Sequence, residues 1–173
     1  VNYAKIQDMK LSAQEEYGLR CLLQMASRGD EASLSIPEIS KSEGLSIPNV
    51  AKLMRLLRMA GFVKSVRGQA GGYMLAKPAA AIQVGEVLEA LGGKLFSDRF
   101  CGRHSGLETV CVHTTDCSMR ALWLGLQVMI EKVLFGITLA DLLKKECTMQ
   151  EMLEGRHGAL ILPEPFNGKR PNA

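Results

Sequence analysis

Two Ser-x-x-Glu signatures, Ser12 to Glu15 and Ser35 to Glu38, fix where the first helices of this chain begin. In such a box the serine hydroxyl meets the third helical amide, and the glutamate reaches back to the serine amide. Behind Ser12 the apolar residues Tyr17, Leu19, Leu22, Leu23 and Met25 form a helical stripe that stops at Gly29-Asp30. Behind Ser35, with Pro37 in its first turn, a short helix runs to a C-cap at Gly44. Ser46 is then expected to cap a third helix, with Pro48 in its first turn, the stripe Val50, Leu53, Leu56 and Leu57, and a stop at Gly61. Two short capped helices around a glycine turn describe a helix-turn-helix.

After Gly61 the period changes. Phe62–Val66 reads as a strand, Arg67–Gly72 as a turn and Tyr73–Ala76 as the return strand, which makes a wing. Ile82, Val84, Val87, Leu88 and Leu91 mark a fourth helix ended by Gly92-Gly93. A long segment without periodicity follows, and such loops are usually functional or disordered. Met119, Leu122, Leu126, Met129, Ile130 and Val133 then share one face of a helix broken at Phe135-Gly136. That face is too apolar to stand alone, so the helix is expected to pair with a second copy. Thr138 and Asp141 cap a last short helix reaching about Lys145.

The expected class is mainly α with a small β-wing. Its parts are an extension over 1–8, a winged helix-turn-helix over 9–93, a cysteine loop over 94–117, a dimerisation helix and short C-terminal helix over 118–146, and a disordered tail over 147–173.

Hydrophobic residues make up 47% of the chain and aromatics 5%, which suits a packed helical core better than a sandwich of strands. The net charge is only +3, but residues 41–77 carry seven basic side chains against Glu43 alone. A basic block on a near-neutral protein is the footprint of a polyanion site. On the third helix the apolar stripe leaves Asn49, Ala51, Lys52 and Arg55 outward, Arg58 lies farther along, and Arg67 heads the wing turn. A charge run alone is usually a solvated face. Joined to a capped helix pair and a basic wing, it points to double-stranded DNA: Asn49 on a base edge or a phosphate, Lys52 on the outward face, Arg55 and Arg58 on phosphates, Arg67 toward a minor groove. Ala51, at an outward position, limits the base contacts available.

The N-terminal stretch shows no apolar secretory core, and no run reaches the length of a membrane span. A cytoplasmic location without membrane attachment is expected, where clustered cysteines point to metal or redox chemistry. Cys101 and Cys111 are separated by nine residues, and Cys111 and Cys117 by five. Zinc sites favour close pairs such as C-x-x-C, whereas the several irons of an iron–sulfur cluster accept wider spacings. Arg99 and Arg103 beside Cys101 favour its thiolate. The ranking is cluster, then zinc, then free redox-active thiols. His104 and His113 are further donors in the loop, although loop histidines are more often merely exposed. Cys21 reads as a buried small hydrophobe, and Cys147 has no evident partner. There is no glycine-rich nucleotide motif after a strand, no Ser–His–Asp set and no C-x-x-C, so an enzyme is not expected. A small redox protein is the weakest alternative.

These residues resemble a known family. Met9-Lys10-Leu11-Ser12, Tyr17-Gly18-Leu19, Ser65-Val66-Arg67-Gly68 with Gly71-Gly72-Tyr73, Ile82–Val87, and Cys117 ahead of Ala121-Leu122-Trp123 look like the Rrf2 family of transcription regulators. The resemblance implies a homodimer with an iron–sulfur cluster on Cys101, Cys111 and Cys117, the cluster state controlling promoter binding, with repression the expected sign. In some members a histidine three residues after the last cysteine is the fourth ligand; here that position is Arg120, which cannot ligate. In others an acidic residue near the start of the first helix reaches across from the second subunit; the matching position is Glu16. A histidine used by one member corresponds to Arg20. Three thiolates plus Glu16 lean toward [4Fe–4S] over [2Fe–2S]. A cluster-free thiol-switch regulator is the alternative.

Overall fold

The computed structural model describes residues 12–67, 71–94, 96, 105, 111, 113 and 116–157. Ser12 opens α1 (Ala13–Ala26) through the expected box: the Glu15 carboxylate accepts from the Ser12 amide and hydroxyl, each at 2.7 Å. Glu15 is nonetheless buried, because the end of α4 (Val84–Gly92) covers it; a methyl on Gly92 would meet the Glu15 carboxyl carbon at 2.2 Å. One turn on, a methyl on Gly18 would meet a Leu91 methyl at 2.4 Å. These glycines let α1 and α4 approach closely. Cys21, Leu22 and Met25 on the same helix are fully buried, each large side chain contributing about 1.5–3 kcal/mol.

α2 (Ile36–Glu43) carries the second box and ends at Gly44 with φ 65°, where a left-handed residue costs glycine little. α3 (Ile47–Met59) begins at Ser46, but the serine side chain makes no capping bond there. Both helices have proline at their second position and so lack that donor. In α2 the third residue is Glu38, which holds the Ser35 hydroxyl; in α3 it is Asn49, and the reciprocal half of the box is missing. The buried stripe of α3 is Val50, Leu53, Met54 and Leu57; Leu56 is only half-buried and Met54 takes the place expected for it. Arg20 staples α1 to the end of α2: its Nε meets the Glu43 carboxylate at 2.9 Å, a second nitrogen donates to the Glu43 carbonyl at 2.7 Å, and the guanidinium lies over the Tyr17 ring.

β1 (Val63–Val66) pairs antiparallel with β2 (Gly72–Leu75), Val63 opposite Leu75 and Val66 opposite Gly72. A third rung was not evident beforehand. Leu34 and Tyr73 exchange two main-chain hydrogen bonds of 2.8 Å, which anchors the wing to the segment before α2. The approach is close enough that a methyl on Gly72 would lie 2.4 Å from the Leu34 carbonyl oxygen.

α5 (Ser118–Leu134) ends at Phe135 as expected. Its apolar face divides. Val133 and Leu134 pack toward Val84, Leu88 and Ile137, whereas Met119, Leu122 and Met129 stay exposed, Met129 by 66%. The chain then returns to the core: Val84 N–H donates to the Ile137 carbonyl (2.9 Å) and Leu139 N–H to the Ile82 carbonyl (2.8 Å). The short helix expected after Thr138 is a single 3-10 turn, Asp141–Leu143, whose N-cap is Ala140; Thr138 and Asp141 exchange hydrogen bonds just ahead of it. The expected disordered tail from 147 is corrected over its first part. Glu146–His157 forms α6, because Met149 and Leu153 find a place against the Val84–Leu88–Ile137 cluster. The first eleven residues, the wing tip at 68–70 and the tail beyond 157 lie outside the described residues.

Gly72→Ala is expected to cost about 1–3 kcal/mol in urea unfolding, since the methyl collides with main chain that cannot yield without breaking the Leu34 rung. The Asp141 carboxyl is drawn down from 3.8 to about 2, first by the Lys144 ammonium and then by the Thr138 amide. A depressed folded value stabilises at higher pH and is lost as pH falls through it. The acid limb of the stability profile between about pH 4 and 2 should therefore flatten in Asp141→Asn, read by thermal unfolding against pH.

Candidate nucleic-acid interface and cysteine segment

With Val50, Leu53, Met54 and Leu57 inward, the helical period turns Pro48, Lys52, Arg55 and Met59 outward, and all four are exposed. Arg58 is also exposed, while Asn49 and Ala51 are half-buried beside that strip. α3 contains no carboxylate. None of Lys52, Arg55 and Arg58 pairs with an acidic side chain among the described residues. Lys64 on β1 and Arg67 at the end of the wing strand are exposed too. Of these, Lys64 was counted in the basic block but not picked out as a contact. Exposed, unneutralised cations on a helix and an adjoining strand suit an anionic backbone.

Two of the three loop cysteines are described. Cys111 and Cys117 are partly exposed and carry free thiols. Cys117 is the N-cap of α5, where its Sγ accepts from the Arg120 amide at 3.4 Å. Arg120 thus meets this sulfur through its main chain. Cys101 and His104 lie outside the described residues. His113 is exposed, as is Glu16 on the first turn of α1 beside the buried Glu15. Among the described residues no three Cys, His, Asp or Glu side chains converge as a metal site. Cysteine sulfur is the donor type that iron–sulfur groups use, and Cys111 and Cys117 are the described residues that could hold one.

The start of the cysteine segment is tied to α5 by contacts the sequence reading missed. Lys94 Nζ meets Glu131 at 2.7 Å and Glu89 at 3.6 Å, which raises the lysine pKa and lowers that of Glu131. The Phe96 amide donates to Gln127 Oε1 at 2.9 Å, and the Phe96 ring stacks on Trp123 at 5.2 Å. Trp123, Gln127 and Glu131 recur every four residues along one face of α5. That spacing was readable; which segment would lie on it was not. Both ends of the segment therefore rest on one helix.

The sequence profile of the Rrf2 family, described as an iron-dependent transcriptional regulator, matches residues 11–145. The chain belongs to the Rrf2 family. Its relatives include protein rrf2 of Nitratidesulfovibrio vulgaris, 35% identical over 79% of this chain and 88% of that protein. The HTH-type transcriptional regulator IscR of Yersinia pseudotuberculosis is 32% identical over 80% of this chain and 81% of its own. Among solved structures, T. potens IscR matches with TM-score 0.63 and 34% identity, covering 78% of this chain and 85% of that one. CymR, the global cysteine regulator of B. subtilis, matches with TM-score 0.64 and 30% identity, covering 78% and 95%. As an Rrf2 protein the chain is a DNA-binding transcription regulator with a winged-helix fold, and no helix among its described residues is long and apolar enough to cross a membrane.

Within this Rrf2 chain the thiols differ in environment. Cys21 is fully buried, and burial pushes its pKa up to about 12. Native alkylation at pH 8 should therefore leave Cys21 unmodified until denaturant is added, while exposed Cys147 reacts; peptide mass mapping reads both.

Proposed function

We propose that this Rrf2 protein is a cytoplasmic homodimeric repressor that carries an iron–sulfur cluster. Cys101, Cys111 and Cys117 are its thiolate ligands, and Glu16 of the partner subunit is the fourth. Three thiolates and a carboxylate favour [4Fe–4S] over [2Fe–2S]. The observation that carries this reading is Cys117 at the N-cap of α5: the sulfur is set by the same helix whose Met119, Leu122 and Met129 are left for a second copy. The family's description as iron-dependent and the IscR relatives support it.

A bound cluster supplies ligation that responds to iron supply, oxidation and nitric oxide. The chain's own residues do the rest. Lys94, Phe96 and Cys117 hold the cysteine segment on α5, and the Ile137–Leu139 return carries α5 into the winged-helix core. A shift of α5 against its partner changes the separation of the two α3 helices, on which binding to spaced half-sites depends. Near-complete switching requires about 5.5 kcal/mol of difference between states. At the DNA, Arg55 and Arg58 neutralise phosphates, Arg67 reaches toward a minor groove, and Asn49 and Lys52 face the base edges.

The rival reading is a cluster-free thiol switch. It is favoured by the partly exposed thiols of Cys111 and Cys117 and by the fold shared with CymR, whose Staphylococcus aureus counterpart is solved in an oxidized form. Anaerobically purified protein separates the two. We expect iron and sulfide in the wild type, their loss in Cys111→Ala, and an intact cluster without duplex binding in Arg55→Glu. Iron-free protein that resists reconstitution yet loses duplex affinity reversibly with peroxide would establish the thiol switch instead.

A further inference from the structure

The outward side of α3 has a composition that the phosphate contacts leave unexplained. Its first two turns present Ile47, exposed by 53%, then Pro48 and Ala51, with Lys52 as the single cation. An exposed isoleucine is by itself ordinary. Here it stands at the start of the helix that the fold offers to a duplex, one turn before Ala51 and on the same side. No carboxylate occurs anywhere on α3, so its side-chain acceptors near the start are only the Asn49 amide and the uncommitted Ser46 hydroxyl. A helix so equipped has few acceptors for the amino groups of cytosine or adenine. What it can offer the major groove is a donor from Lys52, the amide of Asn49, the hydroxyl of Ser46, and apolar surface. The one apolar feature that base edges present there is the thymine 5-methyl group.

We propose that Ile47 and Ala51 read thymine methyl groups in the major groove of each half-site, as specificity-determining residues. This rests on the DNA-binding reading above and adds the chemistry by which bases are distinguished. Ile47 surface that is wet in the free protein becomes covered by the methyl, and Ala51 is short enough to let the helix sit close to the bases. Lys52, one residue on, takes guanine acceptors beside those thymines.

The experiment uses anaerobically purified wild-type protein to select sites from a randomised duplex pool. Each thymine of the selected half-site is then replaced by deoxyuridine, which removes the methyl and nothing else. One or two positions per half-site should lose affinity by about fourfold, the value of one buried methyl. In Ile47→Ser the uridine and thymine forms should bind alike at the affected position nearest the start of α3, while the salt dependence set by the arginines is unchanged. Wild-type protein that binds every uridine-substituted site as tightly as its parent would overturn the proposal, as would undiminished discrimination in Ile47→Ser. If no duplex is selected at all, DNA recognition itself fails, a result distinct from selected sites that ignore the methyl.

Discussion

Three main-chain hydrogen bonds, Val84 N–H to the Ile137 carbonyl, Leu139 N–H to the Ile82 carbonyl and Ala140 N–H to the Ala79 carbonyl, bind the return after α5 into the winged-helix core. Leu139 is fully buried between them, so the return segment belongs to the winged-helix core even though it follows α5. A buried main-chain group without a partner is costly, so this pairing is a strong constraint on geometry. It means that α5 leaves the core at a defined point. Phe135 reinforces it by filling the space beside Gly85, where a methyl would come within 2.4 Å of the ring. The exposed face of α5, the Lys94 and Phe96 contacts on it and the position of α6 all follow from that junction.

The polar groups near the junction have separate tasks. Glu15 caps α1 and is sealed by α4, so its carboxylate belongs to the architecture. Glu16, the next residue, points to solvent and is available to another chain. Gln127 is buried on α5, yet its oxygen takes the Phe96 amide and its nitrogen donates to Glu131. Both ends of that side chain are thus occupied, as burial of an amide requires.

What could be read in the sequence was mostly local chemistry. Ser12, Ser35, Gly44 and Gly61 act within a few residues of themselves, and the helices start and stop accordingly. Ser46 shows the limit of such reading: the residue type was right for a cap, but Asn49 cannot complete the exchange that Glu38 completes. The Leu34–Tyr73 rung and the Phe96–Gln127 bond join residues 39 and 31 positions apart, and neither leaves a periodic trace. α6 was missed because its order depends on Met149 and Leu153 meeting a cluster formed by distant residues. Of the candidate ligands, Cys111 and Cys117 could be placed on the fold, whereas Cys101 falls outside the described residues.

The stack of Phe96 on Trp123 has a practical side. Trp123 is the chain's single tryptophan, and the two rings lie within 14° of parallel. The molecule therefore carries a native optical gauge at the place where the cysteine segment leaves the body of the protein. In the purified protein its emission colour and lifetime report on the Phe96 contact without any dye.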